Sequence, residues 1–406
     1  MPKERSIGSG PRPAGTDGRG RFALRHRIRR RLLTGSVLAA ALLWATAEAE
    51  ACPICLGAGQ PSKAQELVTA TDVVLAVPTR DPGRFRVTQV IKGKRPPGGT
   101  IEGGYPRSGP VPGTAAPASG KPLLLVNDEQ LPTWEVLGPI DAGHSRWLRA
   151  VAAGRRAADT SAEEWRGRVA LVVPYLENPE PLVAEIAYAE LVAAPYAALR
   201  AARPRLGAAT VRRWLTDPEL AARQSPYLLL LGFVGNAQDA AALERRLDAA
   251  SQAGEATNLG AMLAADLELR GPARMQWVDD RYLRDRKRST REVEAVILAL
   301  GAHGQANTTI SRERVIRSYR MFIRERKDLA GLVAPDLAAW NYWEAVPEYT
   351  ALMKSDIRQQ GESRFAIGVY LRQSRGAGET SRADVPVTGS FSGPVAKPNA
   401  PLVAPH

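Results

Sequence analysis

Leu228-Leu229-Leu230-Leu231-Gly232-Phe233-Val234-Gly235-Asn236 is the stretch whose reading sets the fold of most of this chain. An apolar run closes in Gly235-Asn236, and Ala241, Leu243 and Leu247 follow at helical spacing. The pattern predicts one helix, a tight turn, and a second helix whose apolar face packs back on the first. Similar apolar segments recur at Tyr188 to Val192, Leu267 to Gly271, Ile297 to Gly301 and Trp340 to Trp343. From Val192 through Gly232, Gly271 and Gly301 to Tyr342 the spacings are 40, 39, 30 and 41. Periods of about 40 residues point to helix pairs stacked in an array. Each pair in such an array buries its apolar face only against its neighbours.

Upstream the composition changes near Gly154. Before it Gly, Pro and Val dominate and the periodicity is near two; after it Ala, Leu and Arg dominate. Ser62 is an N-cap with Gln65 at capping-box distance, ahead of Leu67 and Val68. Thr71 to Val77 reads as a buried strand closed by Pro78, and Asp81-Pro82-Gly83 is turn chemistry. Arg84 to Val90 alternates, which turns Phe85, Val87 and Val90 toward a core. Ile101, Leu123 to Val126, and Trp134 to Leu137 mark three further strands, the last ending at Gly138-Pro139. Lys94 to Gly99 and Val111 to Gly120 read as loops. Five strands joined by turns fit a small barrel of the OB type or a small sandwich.

Two resemblances follow from these residues. The helix–turn–helix around Leu231 to Asn236 resembles a HEAT unit. Cys52-Pro53-Ile54-Cys55, the following helix, "ATDVVLAVP", "FRVTQVIKGKRPPGG", "KPLLLVNDE" and "WEVLGPI" together resemble the netrin-type OB domain, the group that includes tissue inhibitors of metalloproteinases. That resemblance covers Cys52 to Trp147 and implies an OB barrel, with protease inhibition through the N-terminus as one reading. The inhibitors begin Cys-x-Cys and carry further bonded cysteines. This chain has Cys-x-x-Cys and no cysteine beyond those 2. The expected fold is α+β and multidomain. Residues 1–51 are a signal peptide with an extended basic leader, 52–150 an OB-like β domain, 160–372 a HEAT-like α-solenoid, and 375–406 a disordered tail, Gly-, Ser- and Pro-rich with few large apolar residues.

The export reading rests on Arg25, Arg27, Arg29, Arg30 and Arg31, then the apolar run Leu32 to Ala47, then small residues at Ala45, Ala47, Ala49 and Ala51. The apolar run falls short of the roughly 20 residues of a membrane span. Residues 1–51 hold 10 of the 55 Lys+Arg and 4 of the 42 Asp+Glu, so +6 of the formal +13 lies there and +7 remains. Export argues against nucleic acid as the partner despite a basic balance. The expected location is periplasmic or extracellular, with peripheral or lipid-anchored membrane association left open.

Chemistry-bearing residues are few. Cys52 and Cys55 read as a local disulfide in an oxidising compartment. Thiol redox chemistry, metal binding with ligands from elsewhere, and lipidation of Cys52 stay open beside it. Haem attachment is excluded because residue 56 is Leu. His144 lies between Asp141 and Ser145 in a loop, and triad members converge from separate elements. His303 falls in Gly301-Ala302-His303-Gly304, which reads as an exposed inter-helix turn. Asp279-Asp280 reads as a salt-bridge partner set among arginines. No catalytic residue, metal site or cofactor is expected. Two basic runs stand out: Arg281 to Arg291, and Arg312 to Lys327. Arg317, Arg320 and Arg324 share one helical face, away from Val315 and Phe322, with Glu313 one turn before Arg317 and able to pair with it. That face is the candidate dock for an acidic protein or another anionic envelope component. The expected function is that of an exported, non-catalytic binding scaffold. A thiol or metal role for Cys52 and Cys55 and protease inhibition are the alternatives.

Overall fold

Ser62 makes the capping box that its spacing to Gln65 predicts, and opens helix α1, Lys63–Thr69. The structure is a computed structural model that describes residues 62–103, 120–128, 131–355 and 361–383. After α1 come five strands: β1 Asp72–Pro78, β2 Arg84–Lys92, β3 Thr100–Glu102, β4 Leu123–Asp128 and β5 Leu131–Pro139. They form one antiparallel sheet in the order β3-β2-β1-β4-β5. The sheet curls until its edges β3 and β5 come into contact, a half-barrel. Two register shifts between β1 and β2 and two between β4 and β5 fit this curl, since bulges bend strands. Alternation works as expected: Phe85 and Val87 are buried while Arg84, Arg86 and Thr88 are exposed.

β1 is apolar on both faces because both are covered. Val74 and Ala76 join Phe85, Val87, Ile101, Leu125 and Trp134 inside the curl. Val73 and Leu75 face the other way, into a core shared with the helices.

The helical part comprises α2 Ser145–Ala152, α3 Ala162–Val172, α4 Pro181–Ala193, α5 Tyr196–Ala201, α6 Ala208–Thr216, α7 Gln224–Val234, α8 Ala237–Ala253, α9 Leu259–Arg270, α10 Met275–Val278, α11 Thr290–Ala306, α12 Arg312–Glu325, α13 Ala334–Ala339, α14 Val346–Lys354 and α15 Gly361–Ala383. A π-helical turn, Asp279–Leu283, follows α10. In the quoted stretch the helix, the turn and the second helix form as read, but α8 packs on α9 rather than back on α7. α7 ends at Val234, Asn236 caps α8 through a capping box, and Leu243 and Leu247 are buried. α7, α9 and α11 lie side by side, with α9 between the other two. One core runs from Ala64 in α1 to Tyr370 in α15, without a break at Gly154, because α1 and α2 pack on each other and α1 packs on α4.

Three sequence expectations change. Gly301-Ala302-His303-Gly304 is not a turn: it lies within α11, and His303 is 0% exposed. Gly232 and Gly301 mark close packing inside helices rather than elbows between them. A β-carbon on Gly301 would meet the Asp336 carboxylate at 2.7 Å. α15 continues past Arg375 to Ala383, into the span expected to be disordered. The signal segment, Cys52, Cys55, most of the loop Val111 to Gly120, and residues 384–406 lie outside the described residues. No helix among the described residues is long and apolar enough to cross a membrane.

Candidate functional site

The basic face of α12 is built on an amphipathic helix. Ser311 caps it by accepting from the Arg314 amide. Val315, Tyr319 and Phe322 are buried against the core. Arg317 and Arg324 point to solvent and, among the described residues, make no ion pair. Arg320 differs from the expected trio. It reaches α14, donating to Glu348 at 2.9 Å and to the Tyr342 hydroxyl at 3.4 Å, with Glu344 at 3.6 Å. The Glu348 hydrogen bond raises the Arg320 pKa. Burial works against the Glu348 carboxylate, yet Arg320 holds its pKa below the usual value. Arg320 is therefore a structural clamp, and the free face consists of Arg317 and Arg324. Glu313 forms no ion pair with Arg317 within 4.0 Å.

Half of the other basic run is neutralised. Arg281 pairs with Asp248 at 2.8 Å, Arg284 with Asp280, and Arg288 with Glu292 at 3.1 Å. Asp279 pairs with Arg314 at 2.7 Å, so Asp279 and Asp280 are salt-bridge partners, as read. The fold also brings the two runs together. Arg286 donates to the Glu325 carbonyl and Arg326 to the Asp285 carbonyl, each at 3.1 Å. Exposed Arg286, Lys287, Arg324 and Lys327 thus gather at the C-terminal end of α12. A helix C-terminus favours cations. The sequence separation of the runs hid this juxtaposition.

A cleft of about 370 Å³ lies between the sheet and the helices, lined by Lys121, Pro139, Asp141, His144, Asn178 and Glu180 among others. Glu180 is its hub. Its Oε1 accepts from Lys121 Nζ at 2.9 Å and from the Asp141 amide at 2.8 Å. His144 Nδ1 lies 3.0 Å from Oε2, but the alignment is too poor for a hydrogen bond. Asp141 caps the turn at Gly143 with its side chain, and the Ser145 hydroxyl bonds Gln89 and the Ala142 carbonyl. Asp141, His144 and Ser145 therefore form no triad. Glu180 was invisible as a partner because it lies 39 positions from Asp141.

A second network is buried between α5, α9 and α11. Glu268 Oε1 accepts from Tyr196 at 2.8 Å, and Oε2 accepts from Thr309 at 2.7 Å and Arg200 at 3.2 Å. His303 Nε2 lies 3.1 Å from the Ala264 carbonyl and 3.4 Å from the Tyr196 hydroxyl. Its Nδ1 is buried with no hydrogen bond, 3.9 Å from Glu268 Oε1. Burial pushes the His303 pKa down, against the pull of Glu268. The sequence signal was present: His303 stands one helical turn from Leu300, on the apolar side of its helix.

No family model, curated protein or solved structure matches the chain.

Proposed function

We propose that this protein is a non-catalytic binding scaffold that holds an anionic partner against the outer face of α12. The observation that carries the reading is the unequal fate of its cations. Arg168, Arg212, Arg270, Arg274, Arg314 and Arg320 each hold a carboxylate of a neighbouring segment and lock the frame. Arg317 and Arg324 hold none and stand exposed, with Arg286, Lys287 and Lys327 beside the end of the same helix. Exposed unneutralised cations raise the local concentration of anions.

Two architectural features support a scaffold. The strand order β3-β2-β1-β4-β5, with β3 meeting β5, matches an OB-type barrel left open at one seam. The side-by-side helices α7, α9 and α11, with α8 packed on α9 and α12 on α11, fit a short HEAT-like stack. Exported location, in the periplasm or outside the cell, is part of the same proposal and rests on the residues before Cys52.

The test uses two defined probes, immobilised heparin and vesicles of phosphatidylglycerol. The whole chain should be retained by one of them, and Arg317→Gln with Arg324→Gln should lower the salt needed for release. Arg155→Gln with Arg156→Gln, on a distant segment, is the control. Retention unchanged by the α12 substitutions refutes the docking face.

A further inference from the structure

We propose that α5 is a strap released by acid: a second proton on fully buried His303 adds a cation to a network whose charges already balance, and α5 then parts from α9 and α11. The groups facing the imidazole come from every element around it. α9 supplies the Glu268 carboxylate and the Ala264 carbonyl. α5 supplies Tyr196 and Arg200. The segment after α11 supplies Thr309. α12 supplies Arg312, whose guanidinium bonds the Gly304 carbonyl and lies over Trp340. α7 supplies Phe233, edge-on to Tyr196.

With His303 neutral, Glu268 and Arg200 cancel. The Nε2–H donates to Ala264, and Nδ1 carries a lone pair with no partner. An added proton must sit on that nitrogen. The nearest acceptor, Glu268 Oε1, is 3.9 Å away, beyond hydrogen-bond reach. It already takes the Tyr196 proton, while Arg200 repels the new charge. Glu268 attracts the new charge but gives it no hydrogen bond, so the buried cation stays costly, and the escape is hydration. α5 is the short element that carries both Tyr196 and Arg200. It has 6 residues, between Pro195 and the turn at Pro204.

The direction follows from linkage. Burial holds His303 below its ordinary value of 6.5, so the closed state binds the proton less readily than an open one. The closed strap is fully favoured above about 6.5 and loses that advantage as pH falls toward the lowered value.

The experiment is hydrogen exchange by mass spectrometry on the whole chain, following the peptide Tyr196 to Leu206 in wild type and His303→Gln. Taking the ratio of the two proteins at one pH cancels the pH dependence of exchange itself. Near neutral pH the ratio should be close to one. Below 6.5 wild type should exchange progressively faster than the variant, by up to tenfold for each pH unit until the lowered value is reached, since each unit of proton affinity is worth tenfold. A ratio that does not change with pH, or slower exchange of wild type in acid, overturns the strap. Tyr196→Phe covers the case in which His303→Gln fails to fold. It leaves His303 in place, so the same peptide should still open as pH falls; a peptide whose exchange relative to α9 does not change with pH in this variant also overturns the proposal.

Discussion

Gly232 in α7 lies so close to Ala265 in α9 that a β-carbon there would stand 2.6 Å from the Ala265 Cα. The two backbones touch where a side chain has no room. This is what lets α7 and α9 form the most intimate helix contact of the array. Gly232→Ala should force them apart and cost about 1 to 3 kcal/mol. Chemical denaturation should show a lower midpoint, and Gly254→Ala, in open space but at φ 67°, provides a strain-only comparison.

Asp266 is fully buried, with Arg270 at 2.9 Å on one oxygen and Arg274 at 2.6 Å on the other. Arg274 is itself nearly buried and lies over Trp277. Asp266→Ala would leave that guanidinium half-paired, with Glu244 as its remaining partner. A loss of about 3 to 5 kcal/mol is expected for a broken buried pair. Urea unfolding reads it; a loss below about 1 kcal/mol, the range of exposed pairs, would show that the site is solvated.

Asp239 serves both as the return arm of the α8 capping box and as the partner of Arg212, which holds its pKa below the ordinary value of 3.8. Its folded value being depressed, its contribution is present above 3.8 and is lost as pH falls through the lowered value. Arg212→Gln should therefore narrow the stability difference between neutral and strongly acid solution. Tm measured across the acid limb should show the wild-type and variant curves converging at the lowest pH.

Arg320→Gln should lower Tm, because the clamp between α12 and α14 goes with it. Arg317→Gln and Arg324→Gln should leave Tm almost unchanged, since exposed charges are worth about 1 kcal/mol or less. Equal effects from all three would return Arg320 to the free face.

Glu180→Ala should weaken the join between sheet and helices, leaving the Asp141 amide without its acceptor and returning the half-exposed Lys121 ammonium to water. About 1 to 3 kcal/mol is the expected loss for groups left without partners. Exchange at Asp141 should rise before exchange in α9 does.

The strands were legible because alternation and turn residues are local signals, and Phe85, Val87 and Gly83 carry them. Ser62 and Gln65 told their helix for the same reason. The Gly-terminated elbows misled. Gly301 serves a neighbour, Asp336, that is distant in sequence, and a glycine required by packing looks like one required by a turn. The face of α12 was visible at the spacing of Arg317 and Arg324. The diversion of Arg320 was not, because Glu348 lies 28 positions away. Glu180 and Glu268 escaped notice for that reason too: each draws partners from segments that only folding brings together.

Tyr196 and His303 meet across 107 positions, over the top of α9. A stack whose members touch only their nearest neighbours can gain or lose a unit during evolution without harm. This one cannot. Duplicating or deleting a helix pair between α7 and α11 would carry His303 away from Tyr196 and open a polar interior. A single handclasp thus fixes how many residues fit between α5 and α11, whatever follows them in the chain.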